Sequence, residues 1–105
     1  MLPAQPINPA TAIIAAHLDI HGQVQGVGYR LAMLSKAREL QLQGWVRNKR
    51  DGRVEALVQG PADRVAHMLA WCQSGPPVAR VRQIKQHALA PDPQWTEFVC
   101  RDTVD

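Results

Sequence analysis

The sequence predicts an α+β domain, a two-layer sandwich whose elements run β-α-β-β-α-β, with the last strand open to splitting in two. Three observations carry this prediction. Short stretches of alternating polarity mark strands. Two longer stretches carry apolar residues at helical spacing. Breaks rich in glycine and proline fall between these stretches. A chain of 105 residues supports one such domain and not two, and a hydrophobic content of 46% suffices for a single core.

Residues 1–14 are expected to be an irregular leader, because Pro3, Pro6 and Pro9 block helix and ladder hydrogen bonds. The folded domain is placed at 15–102. From His17 to His21 polarity alternates, with Leu18 and Ile20 facing one way and His17, Asp19 and His21 the other. A glycine-studded turn follows. Arg30 to Leu42 contains helix formers and neither glycine nor proline. Leu31, Leu34 and Arg38 share one stripe of that helix, and Met33, Ala37 and Leu40 fill the next. Its end is expected at Gln43-Gly44. Strand two covers Gly44 to Lys49, and Asp51-Gly52 is a strong hairpin turn. In strand three Val54, Ala56 and Val58 alternate with Glu55 and Gln59.

Gly60-Pro61 is expected to break that strand, with Pro61 tolerated in a first helical turn and Asp63 favouring a helix N-terminus. Val65, Met68, Leu69 and Cys72 then recur at i, i+3, i+4 and i+7, one helical face. Gly75-Pro76-Pro77 ends it. Val81 to His87 reads as an edge strand. Pro91 and Pro93 mark a loop, and Trp95 to Arg101 makes a last strand with Phe98 and Cys100 on one side. With both helices on one face of an antiparallel sheet, this order is the split βαβ, or ferredoxin-like, arrangement.

Aromatics make up only 5% of the chain, so the core is built mainly from Val, Leu, Ile, Ala and Met. The net charge of +3 suits an anionic ligand without demanding nucleic acid. No Lys or Arg precedes Arg30, whereas Arg47, Lys49, Arg50 and Arg53 crowd one turn. That crowd reads either as a solvated hairpin tip or as a positive rim for a phosphate compound. Cys72 and Cys100 form no metal or redox motif and read as small buried hydrophobes, with a disulfide between them left open. No stretch has the apolar length of a membrane span, and the start of the chain is a poor signal peptide. A cytoplasmic location is the expectation.

Two motifs carry chemistry. Gly22-Gln23-Val24-Gln25-Gly26-Val27-Gly28-Tyr29-Arg30 joins a strand to a helix. Free N–H groups at that helix start, with the dipole, favour an anion. Gly26 and Gly28 let the backbone curl close to it. Arg30 can fork two N–H bonds onto phosphate oxygens. The bland alternative is a plain strand-to-helix turn. No Lys-Ser or Lys-Thr follows the glycines, so this is not a Walker loop. The second motif, Gly44-Trp45-Val46-Arg47-Asn48, places an asparagine where the fold order can bring it to the loop.

The pattern Gly22-x-Val24-Gln25-Gly26-Val27-x-Tyr29-Arg30, followed by Gly44-Trp45-Val46-Arg47-Asn48-x-x-x-Gly52-x-Val54 and Gly60, resembles the acylphosphatase family. Gly75-Pro76, Ala79 and Val81 fit as well, and the resemblance runs from about His17 to Arg101. It implies a ferredoxin-like sandwich that hydrolyses carboxyl-phosphate anhydrides to carboxylate and orthophosphate, with no metal or cofactor. It also implies the roles. Arg30 binds the phosphate with the loop amides of Gln25, Gly26, Val27, Gly28, Tyr29 and Arg30 itself, and Asn48 positions the attacking water. Substrate and product are small molecules, and a monomer is expected. Such domains also front larger carbamoyl-transferring maturation proteins, but the absence of paired-cysteine zinc modules favours a free-standing enzyme.

Two other readings compete. One is a non-catalytic anion-binding or regulatory module on the same fold. The other is an RNA-binding domain, which needs stacking aromatics that the first and third strands lack. His17, His67 and His87 give no zinc spacing. His21 reads as an exposed strand histidine, Asp51 and Glu55 as solvated hairpin carboxylates, and Trp45 and Trp71 as packing residues.

Overall fold

Alternation builds the first strand as expected: Ala16, Leu18 and Ile20 are buried, while His17 and Asp19 between them are half-buried on the other face. The computed structural model describes residues 9–105. Its elements are β1 (Ile13–Gln23), α1 (Tyr29–Glu39), β2 (Gln43–Asn48), β3 (Val54–Pro61), α2 (Ala62–Cys72), β4 (Arg80–Leu89) and β5 (Phe98–Cys100). The sheet order is β4-β1-β3-β2-β5. All pairings are antiparallel except that of β2 with β5.

Register decides which side chains meet. Ile20 lies opposite Val54 and Leu18 opposite Ala56, while Val46 pairs with Ala56 and Asn48 with Val54. These residues share one face, and both helices cover it. Met33 and Ala37 of α1, Val65, Met68 and Cys72 of α2, and Phe98 of β5 complete the core there. Asn48 therefore ends β2 on the helix side, in line with Val54 and Ile20. Two residues past Ile20, β1 runs toward the glycine loop.

Several boundaries differ from the expectation. Residues 1–8 of the predicted leader lie outside the described residues, but Ile13 and Ile14 already belong to β1. The main chain just before them is tied down as well: Ala62 and Asp63 donate to the carbonyls of Ala12 and Ala10 at 2.9 and 2.8 Å. Gly60-Pro61 does not break β3, because Ile14 and Ile13 still pair with these residues. Pro61, at the strand end where a missing N–H costs little, sits just before the helix with φ −56° and ψ 137°. Helix α1 stops at Glu39 rather than Leu42. Gln41 takes the left-handed φ of 56°, Gln41 N donates to Arg38 O, and Leu42 N donates to Ala37 O, a Schellman closure made without glycine. Its buried stripe is Tyr29, Met33 and Ala37, and Leu31 is 70% exposed.

The last strand does split, and its halves go to opposite edges. β4 lies on the outer edge beside β1, whereas β5 lies beside β2 and parallel to it, so the sheet is mixed. The crossing is fastened by buried Gln59, whose amide donates to Asp92 O at 3.0 Å and accepts from Asp92 N at 2.8 Å. The two cysteines are free thiols; Cys72 is buried as expected, and Cys100 is exposed.

Candidate active site

The loop between β1 and α1 is shaped by its backbone. Gly26 has φ 73° and Gly28 has φ 80°, both left-handed conformations that a side chain disfavours. Gly28 is the N-cap of α1, no side chain caps that helix, and no acidic residue lies in its first turn. Ala32 N closes onto Gly28 O at 3.0 Å. The amides of Tyr29, Arg30 and Leu31 precede that closure, so the positive end of the helix is open to an anion. The Tyr29 ring points away from this opening. It is buried, its hydroxyl donates to Cys72 O at 2.7 Å, and it packs on Trp71 with centroids 5.7 Å apart. Burial, followed by the neighbouring Cys72, pushes the hydroxyl's pKa far up, so it stays protonated as a donor. Only the backbone of Tyr29 is left to the site.

Arg30, Asn48 and, from the loop, Gln25, Gly26, Gly28 and Tyr29 line one cavity of about 140 Å³. Val27, expected in the cradle, does not line it and packs against the core instead. Val24 and Leu31 line the cavity without having been singled out. The sequence placed Leu31 only on a helix stripe with Leu34 and Arg38; its place directly after Arg30 in the first helical turn is the signal for its position at the cavity. His21 does not line the cavity; it is half-buried and its Nε2 has no hydrogen-bond partner among the described residues.

The charges around the site separate cleanly. Arg47 Nε pairs with Glu55 at 2.6 Å, Arg53 pairs with Asp19 and Asp51 at 2.8 Å each, and Arg50 pairs with Asp105. These three arginines of the hairpin are thus taken up internally, and the positive rim of the sequence reading does not form around them. Arg30, by contrast, makes no ion pair among the described residues. Asn48 is held by its backbone: it pairs with Val54, and its carbonyl accepts from Val104 N at 3.2 Å. Its side-chain Oδ1 is buried and has no hydrogen-bond partner among the described residues. The carboxamide of Gln25, of which the sequence suggested only the main-chain amide, donates to Lys49 O at 2.6 Å and to Arg53 O at 2.9 Å.

Across the sheet, on the face without helices, His17, Asp19 and Glu55 bring ligating atoms within 4.8 Å of one another. Two guanidiniums already occupy that group. Glu55 accepts from His17 Nε2 at 2.8 Å and from Arg47, and Asp19 accepts from Arg53. Burial alone raises the Glu55 pKa, but the hydrogen bonds and charges of His17 and Arg47 outweigh it and hold the carboxyl below its ordinary value. Glu55 is therefore a bonded network member rather than a solvated hairpin carboxylate. The trio reads as an ion network rather than a metal site.

The acylphosphatase family model matches residues 16–100. An acylphosphatase of Acidovorax sp. strain JS42 is 48% identical over 95 residues, covering 90% of this chain and 97% of that protein. One from Methylococcus capsulatus is 49% identical over 87 residues, covering 82% and 95%. Among solved structures, an acylphosphatase from Coxiella burnetii superposes with a TM-score of 0.81 at 34% identity, covering 85% of this chain and 93% of that one.

Proposed function

The chain belongs to the acylphosphatase family, and we propose that within it Arg30 and the loop amides bind the phosphoryl group while Asn48 positions the attacking water. The enzyme hydrolyses acyl phosphates to a carboxylate and orthophosphate. One observation carries the division of labour. Among the described residues, a guanidinium without an ion partner and a carboxamide with an unbonded oxygen line the same cavity at a helix start with no side-chain cap.

The leaving group explains the sparse machinery. A carboxylate, whose conjugate acid has a pKa of about 4, departs without protonation. Among the described residues, those lining the cavity include no His, Asp, Glu, Lys or Cys, so no side chain of theirs serves as a general acid or base near neutral pH, and none offers an anionic ligand to a metal. Catalysis then rests on positioning and charge stabilisation. The Asn48 carboxamide accepts a hydrogen bond from water and turns its lone pair toward phosphorus. A bond forms from the water oxygen to phosphorus as the bond to the acyl oxygen breaks. The electron pair leaves with the carboxylate, and the water's proton is lost to solvent. Arg30 and the amides of the cradle stabilise the charge on the equatorial oxygens.

The catalytic unit in this reading is 15–102, close to the residues that the family model matches. It works as a monomer: the free edge of β4 carries Arg80, Arg82 and Lys85, whose charges oppose edge-to-edge pairing. It binds no nucleic acid, because Trp45 is covered by the guanidiniums of Arg47 and Arg101 and offers no stacking platform. Its two free thiols suit the cytoplasm.

The test is hydrolysis of an aromatic acyl phosphate in the presence of a chelator, with inorganic phosphate as inhibitor. Arg30→Ala should lower kcat/KM by about 10²–10³-fold, as expected for one lost oxyanion donor, and weaken inhibition by phosphate. Asn48→Ala should lower kcat and leave that inhibition in place. A folded Asn48→Ala chain with native turnover would remove the asparagine from the mechanism.

A further inference from the structure

The side chain of Gln25 does something its sequence position does not suggest. Its two hydrogen bonds go to the two sides of the turn that joins β2 to β3, through Lys49 O and Arg53 O. An amide nitrogen carries two hydrogens, and both are used. Lys49 and Arg53 face each other where the hairpin closes, with Lys49 N donating to Arg53 O at 2.8 Å and Gly52 N to Lys49 O at 3.1 Å. They directly flank the Asn48–Val54 pair. Among the described residues no other hydrogen bond joins 24–30 to the hairpin. The cradle hangs on β1 and α1, and Asn48 hangs on β2. The sheet joins these halves further back, where Ile20 and Asn48 both pair with Val54, and the Gln25 carboxamide adds a direct tie from the loop itself to the turn beside Asn48.

We propose that Gln25 is a positioning residue, whose side-chain amide locks the phosphate cradle to the hairpin and so sets the distance from the water on Asn48 to the bound phosphorus. The proposal rests on the roles given above to Arg30 and Asn48. Each half keeps its own internal bonding without this tie, because the cradle conformation comes from Gly26, Gly28 and the buried Tyr29, and the Asn48 backbone is fixed by Val54 and Val104. What the tie controls is their separation, to which in-line attack is sensitive.

Gln25→Ala should therefore lower kcat by about 10²-fold, the effect of misplacing a reacting group by about 1 Å, while inhibition by inorganic phosphate stays as in the native chain. In an Asn48→Ala chain, measured under single-turnover conditions with enzyme in excess, the same substitution should reduce the rate little further. Gln25→Met keeps the length of the side chain and removes both donors, so it should reproduce the loss. Equal weakening of phosphate binding and of kcat would make Gln25 a cradle residue only and overturn the proposal. So would a full additional loss in the Asn48→Ala chain, or failure of both Gln25 variants to fold. If Asn48→Ala alone keeps native turnover, the underlying reading fails instead of this one.

Discussion

Gly28 does two jobs with no side chain: it caps α1 and turns the chain so that the following amides face the cavity. Beyond its own chain neighbours, no heavy atom of the described residues lies within 4 Å of where a Cβ would stand, so the demand is conformational and not one of space. Gly28→Ala should lower stability by about 1–2 kcal/mol, the cost of holding an L-residue in the left-handed region. The readout is the midpoint of urea unfolding at unchanged slope, with weaker inhibition by phosphate as the second sign. A loss well beyond that range would mean the loop is packed more tightly than its open surroundings imply. Arg30 and Asn48 could be singled out from sequence because both sit in the pattern that resembles the family, and both line the cavity. The Gln25 clamp could not. Its acceptors are main-chain carbonyls 24 and 28 residues away, and any residue type presents a carbonyl.

Where α1 begins and α2 ends, the two helices are joined by Tyr29, whose hydroxyl reaches the Cys72 carbonyl while its ring lies on Trp71. Tyr29→Phe leaves that buried carbonyl without its donor, which should cost about 1–3 kcal/mol. Because the ring and the backbone amide remain, kcat should hold near the native value. Calorimetric unfolding beside an activity assay separates the two, and a comparable drop in kcat would show that the junction also sets the cradle. Elements whose residue pattern is local were legible: the alternation of β1, the Asp51-Gly52 hairpin, and the α2 face of Val65, Met68 and Cys72. The sequence left open which stripe of α1 is buried, because Leu31 and Met33 are equally apolar, and the packing on the sheet selects Met33 and Ala37. The parallel pairing of β5 was hidden for a similar reason. The chain reaches β5 through a connection held to β3 by the Gln59–Asp92 bonds, a contact between residues 33 apart that local pattern does not reveal.

At the scale of the whole molecule, one face of the sheet supports helices and the other supports charge. On the second face His17, Asp19 and Glu55 from β1 and β3 meet Arg47 and Arg53, so the network spans three strands and their hairpin. Its titration sets an acid limit to stability. Glu55 has a folded pKa below its ordinary value of 4.5, so its contribution is present above that value and is lost as pH falls through the folded one. The alkaline limit comes from the other face. Burial pushes the Cys72 thiol from its ordinary value of 9.0 up to about 12, and Tyr29 moves in the same direction. The stability that Cys72 contributes is whole below 9.0 and declines as pH rises from there toward about 12. Thermal unfolding measured against pH should thus show a plateau bounded by these two limbs. Glu55→Gln should start lower at neutral pH, because it breaks the Arg47 pair, yet lose less on acidification below 4.5, because the group that titrates is gone. An acid limb as steep as the native one would assign acid unfolding to carboxylates outside the network, and the helix-free face would then be a passive surface rather than the part of the fold that gives way first in acid.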